Sequence, residues 1–259
     1  DMKLEDLQGF LIDLDGTLYI GNKLIPGACE FIQCLKNKKK RYLIVSNNSS
    51  VSRSCYRTKL NSFGIDINED QIFTSTLASI NYIKQYYPKT TVYPVGTPEF
   101  IEELYQNGLC IGEKNADIVL LGFDKTLTYE KIKIATKLIN GGSLFIATHA
   151  DMLCPTENGY IPDIGTMIAL FEAATNKPPK VIGKPNKEMV QLAISQLNLR
   201  RERIAIIGDR IYTDMKLAKD FGLKSILVLS GETKKNDLIN LDSSPDFIFE
   251  SVKEIIDEL

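Results

Sequence analysis

Apolar residues fall in short blocks, separated by longer stretches in which they recur every three or four positions. The blocks 10–14, 42–46, 91–95, 118–121, 144–148, 181–183, 204–208, 225–229 and 247–249 are rich in β-branched residues and read as strands. Many are apolar throughout rather than alternating, as expected of strands covered on both faces. The stretches 29–38, 52–63, 98–107, 129–139, 166–174, 187–197 and 213–221 carry helical spacing. Strand–helix alternation predicts an α/β fold with mainly parallel sheets.

More strands appear than one compact sheet needs, so two sheets are expected. One break falls near 75–77, and another in 176–180, where Asn176-Lys177-Pro178-Pro179 reads as a linker. The division is then a discontinuous core, 1–77 with 180–259, and an inserted domain, 78–179. A short hairpin turning at Gly21-Asn22 fits between Gly16 and Pro26.

Length supports this picture, because 259 residues can bury a sizeable core without disulfide or metal staples. The 31 basic and 33 acidic side chains nearly cancel, which argues against nucleic acid or a membrane surface as the main partner. The run Lys36-Asn37-Lys38-Lys39-Lys40-Arg41 is basic, but it closes a helix, where cations suit the dipole. Apolar runs such as 118–122 and 226–229 are far below the roughly 20 residues that cross a bilayer. No charged-then-apolar leader opens the chain, and Asp1 before Met2 reads as a cloning remnant. Five cysteines without C-x-x-C spacing point to free thiols in a reducing, cytoplasmic setting. His149 is the single histidine, so any mechanism that needs two is excluded. Carboxylates, lysine or a metal must then carry proton and charge work.

Four segments carry that chemistry. The first strand runs out through Asp13-Leu14-Asp15-Gly16-Thr17, two carboxylates where open α/β sheets place their ligands. Like charges so close need a cation or a shared proton. The second ends in Ser46-Asn47-Asn48-Ser49, which reads both as a helix cap and as an anion site. Lys184, in Gly183-Lys184-Pro185, follows another strand and offers a cation. Asp209 leaves the apolar block 204–208, and Asp214 follows at a helix start. Acidic residues at strand ends suit a hard cation with oxygen ligands, Mg²⁺ above all.

The order D-x-D-G-T, S-N-N, G-K-P and G-D-x-x-x-x-D resembles the haloacid dehalogenase-like superfamily. The chain looks closer still to its NagD-like, p-nitrophenylphosphatase subfamily with class IIA caps. That likeness extends to Leu24-Ile25-Pro26-Gly27-Ala28, Leu121-Gly122-Phe123-Asp124 and Ala147-Thr148-His149-Ala150-Asp151. The resemblance implies a doubly wound, Rossmann-like core with an α/β cap inserted between the second and third motifs. It implies a Mg²⁺-dependent phosphatase acting on small phosphate monoesters, with Asp13 as nucleophile and Asp15 as general acid and base. Lys184 would neutralise phosphate and nucleophile, while Ser46, Asn47, Asn48 and Gly16 would hold the phosphoryl group. The metal would be bound by Asp13, the Asp15 main-chain carbonyl, Asp209 and Asp214. His149 and Asp151, after a cap strand, are expected to face the substrate's leaving group, and a homodimer through the cap is expected. Asp163 stands where many relatives have a small residue. Cys154 and the other cysteines read as packing residues. Two other functions share these motifs: phosphoryl transfer to a small acceptor, and phosphometabolite sensing without catalysis. The second carboxylate, Asp15, favours the phosphatase.

Overall fold

The computed structural model describes residues 3–241 and 244–259; Asp1, Met2, Asp242 and Ser243 lie outside them. In chain order the strands are β1 (Gly9–Ile12), β2 (Tyr19–Ile20), β3 (Lys23–Leu24), β4 (Arg41–Ser46), β5 (Ile72–Thr74), β6 (Thr91–Val95), β7 (Cys110–Ile111), β8 (Ile118–Leu121), β9 (Leu144–Ala147), β10 (Leu153–Thr156), β11 (Gly159–Pro162), β12 (Lys180–Val181), β13 (Ile204–Gly208), β14 (Lys224–Val228) and β15 (Phe247–Phe249). Two sheets dominate, both parallel: β15-β14-β13-β1-β4-β5 and β12-β9-β8-β6-β7.

Strands β1 and β13 are buried along their whole length, which explains why their sequences do not alternate. Each fully buried Ile or Leu contributes about 1.5–3 kcal/mol, so burial on both faces holds these central strands. β1 lies between β13 and β4, with Ile12 opposite both Ile207 and Ile44. The chain leaves β1 toward one side and returns later on the other. The carboxyl end of β1 is therefore a topological switch point, where such sheets open a crevice.

A single apolar cluster joins the two sheets: Leu11 and Val45 belong to it with Phe100, Leu120 and Ile146. Polar contacts add to it, since Ser49 Oγ meets Thr148 Oγ1 at 2.8 Å and accepts from the Phe123 amide at 2.8 Å. The expected hairpin is present as β2–β3, with Gly21 at φ +57° in its turn.

In the fold, the structure differs from the sequence reading at the two domain breaks and in one further hairpin. The break expected at 75–77 falls inside a helix, Ser75–Tyr86, capped by the Thr74 side chain. Its polar opening, Ser75-Thr76, mimics a linker, yet both residues are buried. Lys180 and Val181, expected in the core, instead pair with Ile146 and Ala147 at the edge of the second sheet. A further hairpin, β10–β11, was not anticipated, because its Pro155 and Gly159 interrupt any strand pattern.

The basic run spends its cations on the fold. Lys40 donates to the carbonyls of Glu5 and Leu7, and Arg41 to that of Leu197. All five cysteines are free thiols. Among the described residues, no helix is long and apolar enough to cross a membrane.

Candidate active site

β1, β4 and β13 deliver Asp13 and Asp15, Ser46 and Asn47, and Asp209 to the crevice at the switch point. The third motif arrives from the other sheet, since Lys184 follows β12. It is fixed from both sides: Asn47 Oδ1 accepts from the Lys184 amide at 2.8 Å, and Asn47 Nδ2 donates to the Lys184 carbonyl at 3.1 Å. The lysine is almost fully buried, and its ammonium stands 3.0 Å from Asp13 Oδ1 and 2.9 Å from Asp214 Oδ1. Burial opposes its charge, but those two carboxylates outweigh burial and hold its proton more firmly than usual.

Asp214 sits in a wide π turn, Ile211–Met215, rather than at an α-helix start. Such turns re-aim side chains. Asp13, Asp209 and Asp214 each bring a carboxylate oxygen to within 4.8 Å of the others. Burial, then the charges of Asp13 and Asp214, push the Asp209 carboxyl well above its ordinary value. Burial also pushes Asp214 up to about 6, although Lys184 opposes it. One lysine does not compensate three carboxylates.

Two oxygens make the case for a cation. Asp209 Oδ1 and Asp214 Oδ2 are buried without a hydrogen-bond partner. Buried acceptors are nearly always satisfied, so lone pairs left over in an acidic pocket fit a metal ion with oxygen ligands. Glycines admit these carboxylates. A Cβ on Gly208 would lie 2.1 Å from Asp214 Oδ2, and one on Gly231 would lie 1.9 Å from Asp209 Oδ2.

Asp15 lies in the same cleft. Burial, then the neighbouring charge of Asp13, pushes its carboxyl up to about 6, so it can carry a proton close to neutrality. Ser46, Asn47 and Asn48 line the cleft as well, with Ser46 Oγ accepting from the Asn48 amide at 3.2 Å.

Gly16 is placed differently from expectation. Its amide donates to the Tyr19 carbonyl at 2.9 Å, so it is used within the turn, at φ +82°. A Cβ there would meet Asp209 Oδ2 at 2.3 Å, so the glycine makes room for a carboxylate. His149 is also corrected, because it does not line the cleft. It is fully buried, with Nδ1 at 3.1 Å from Thr148 Oγ1 and Nε2 at 3.1 Å from Asp163 Oδ1. Asp163 stands between it and the cleft, and its Oδ1 also accepts from the Ile164 amide, capping the helix Ile164–Thr175. Asp151 does line the cleft, but its carboxylate is shared between Asn47 Nδ2 at 3.3 Å and Arg210 at 3.5 Å.

Arg210 and Glu232 are the residues the sequence did not point to. Arg210 lines the cleft, pairing with Asp151 and, at 2.9 Å, with Glu232. The Glu232 amide in turn donates to Asp209 Oδ2 at 2.7 Å. The available signal was position, for Ser230-Gly231-Glu232 leaves β14 on the same edge as Asp209 leaves β13. Cys154 also lines the cleft, and burial pushes its thiol up to about 12, which removes it as a nucleophile.

A carboxylate held by lysine, a second carboxylate with a raised pKa, and a buried oxygen cluster together suit phosphoryl chemistry. The sequence comparisons agree. Residues 10–110 match the family of haloacid dehalogenase-like hydrolases, and residues 181–255 match a second, HAD-hydrolase-like family. The chain belongs to the haloacid dehalogenase-like hydrolases and, within them, is a NagD-like phosphatase. It is 34% identical to the 5'-nucleotidase YutF of Bacillus subtilis, over 98% of this chain and 99% of that one. It is also 34% identical to an acid sugar phosphatase of Staphylococcus haemolyticus, over 99% and 98% of the two chains. The crystal structure of a 4-nitrophenylphosphatase from Thermotoga maritima superposes with a TM-score of 0.95 at 39% identity, covering 99% of both chains.

Proposed function

We propose that the protein hydrolyses small phosphate monoesters through an aspartyl phosphate on Asp13, with Mg²⁺ as cofactor and the domain built on the second sheet, from β6 to β12, as the cap over the site. The observation that carries this reading is the Asp13 carboxylate, 3.0 Å from the Lys184 ammonium and grouped with Asp209 and Asp214. Asp13, Asp209 and Asp214, with the Asp15 carbonyl, would hold Mg²⁺, which when bound supplies positive charge against the phosphoryl oxygens.

The remaining steps use the chain's own groups. A carboxylate oxygen of Asp13 attacks phosphorus, and the bond from phosphorus to the ester oxygen breaks. Asp15 gives its proton to the departing oxygen, and its raised pKa supports that role. Water then attacks the aspartyl phosphate, Asp15 takes a proton from it, and Asp13 leaves as a carboxylate. Lys184 balances the charge on Asp13 and on the phosphoryl group, while Ser46 and the Asn47 main chain orient the phosphoryl oxygens.

The named activities of the relatives (nucleotide, sugar phosphate and aryl phosphate hydrolysis) support small esters as the substrate class. The test is to mix enzyme, Mg²⁺ and p-nitrophenyl phosphate, quench with acid, and map the peptides by mass spectrometry. A phosphoryl adduct on the Asp13 peptide is expected. Full turnover without an adduct, and with Asp13→Asn active, would overturn the reading.

A further inference from the structure

A second cavity, of about 230 Å³, opens beside the catalytic cleft and shares Asp15, Asn48, Cys154 and Pro155 with it. Asp15 thus stands between the phosphoryl site and this cavity. A leaving group whose oxygen is protonated by Asp15 would project into it. Besides the loop after β4 and strand β10, the cavity is lined by Tyr19 of β2, Tyr56 and Lys59 of the helix Arg53–Ser62, and Lys125 in the loop after β8.

The cations around the two spaces are treated differently. In the cleft, Lys184 is paired with Asp13 and Asp214, and Arg210 with Asp151 and Glu232. In the adjoining cavity, Lys59 lies over the Tyr19 ring, 4.0 Å from its centroid, and Lys125 over the Phe123 ring at 5.3 Å. Among the described residues, neither ammonium meets a carboxylate at ion-pair distance; Asp15 and Glu157 are the acidic groups that act on Lys59 from further away. Two like charges from separate elements therefore face one small cavity on aromatic supports. Like charges placed together are unfavourable until an anion joins them.

We propose that Lys59 and Lys125 form an anion subsite for the leaving group, so that the favoured esters carry a second anionic group, a carboxylate or another phosphate. This rests on the phosphatase reading above and narrows its substrate class. Burial and the charge of Lys125 lower the Lys59 pKa, with Asp15 opposing, as expected of an ammonium awaiting a counter-charge. The aromatic rings stabilise the cations without consuming their N–H donors, which stay available to the ligand.

The test compares three matched esters: propyl phosphate, its analogue ending in a carboxylate, and its analogue ending in a second phosphate. Both doubly anionic esters are expected to exceed propyl phosphate in kcat/KM by about tenfold or more, mostly through KM. Raising the salt should shrink that preference. In Lys59→Met with Lys125→Met, the ratio of the esters with a second anionic group to propyl phosphate should fall to about one, and Lys59→Arg should keep it. General damage to the fold lowers all three rates together and leaves the ratio intact. If one anionic ending is preferred and the other is not, the preferred one identifies the ligand. A wild-type enzyme that hydrolyses all three equally, or a double variant that keeps the preference, overturns the subsite alone. Failure to hydrolyse any of the three, with p-nitrophenyl phosphate also left intact, would overturn the proposed function as well.

Discussion

Two clusters of potential ligands lie in or beside the cleft. Asp13, Asp209 and Asp214 lie on the core side; His149, Asp151 and Asp163 lie on the other. Each brings three donor atoms to within 4.8 Å of one another, so distance does not separate them. What separates them is how many lone pairs are already in use. His149 engages both ring nitrogens, Asp163 caps a helix, and Asp151 ties Asn47 to Arg210. On the core side, Asp209 Oδ1 and Asp214 Oδ2 remain without partners. One cluster is spent on holding the cap-side loop to the core, while the other still has capacity for a cation. Proximity of acidic residues is therefore a weaker signal than unsatisfied buried oxygen.

Removing the nucleophile should break the comparison most sharply. Asp13→Asn is expected to lower kcat by about 10⁴-fold or more, with an unchanged circular dichroism spectrum. Turnover within tenfold of wild type would move the chemistry elsewhere. Next, Mg²⁺ titrated calorimetrically into Asp209→Asn should bind roughly tenfold or more weakly, whereas His149→Ala should bind it as wild type does. Equal losses in both would erase the distinction between the clusters. In rapid-quench measurements of the phosphorylation of Asp13, Asp15→Asn should cost about 10²–10⁴-fold with an alkyl phosphate and far less with p-nitrophenyl phosphate, whose leaving group needs no proton. Similar losses with both esters would remove its role as general acid.

The two smallest effects concern stability. His149→Ala leaves Asp163 and Thr148 short of a buried partner, and denaturant unfolding should reveal a loss of about 1–3 kcal/mol. Glu103 is the third kind of acidic site, buried at the contact with Arg53, 2.9 Å away, where its Oε2 has no partner. Burial raises its pKa, and Arg53 only partly opposes that. The folded state then holds this proton more tightly than the unfolded chain does, so stability present at low pH is lost as pH rises through the raised value. Glu103→Gln should flatten that slope in a thermal-denaturation series. An identical slope would exclude Glu103 as its source.

Much of the candidate site was legible because its residues stand at strand ends. An apolar block followed by Asp, or by Ser-Asn, marks both an edge of the sheet and a polar group beyond it. Gly16 was visible as a turn residue and Gly208 as the end of a strand, but the room each leaves for a carboxylate, Asp209 and Asp214 respectively, is set by how the chain packs. The helix Ser75–Tyr86 was hidden by its polar first turn, which reads as a linker until both residues are found buried. Arg210 was passed over because its partners, Asp151 and Glu232, come from separate loops. His149 was expected to face substrate because it follows a strand, yet that position says nothing about exposure.

The sequence by itself determined the order of the elements, the strand ends that carry chemistry and the exclusion of two-histidine mechanisms, since these depend on local pattern and composition. The tertiary structure decided which charges meet. Lys184 reaches Asp13 across 171 positions and arrives from the edge of the second sheet. It also decided which oxygens stay unspent, because burial and partner count are properties of the packed chain. The same packing left Lys59 and Lys125 facing one cavity, a juxtaposition of residues that no local pattern connects.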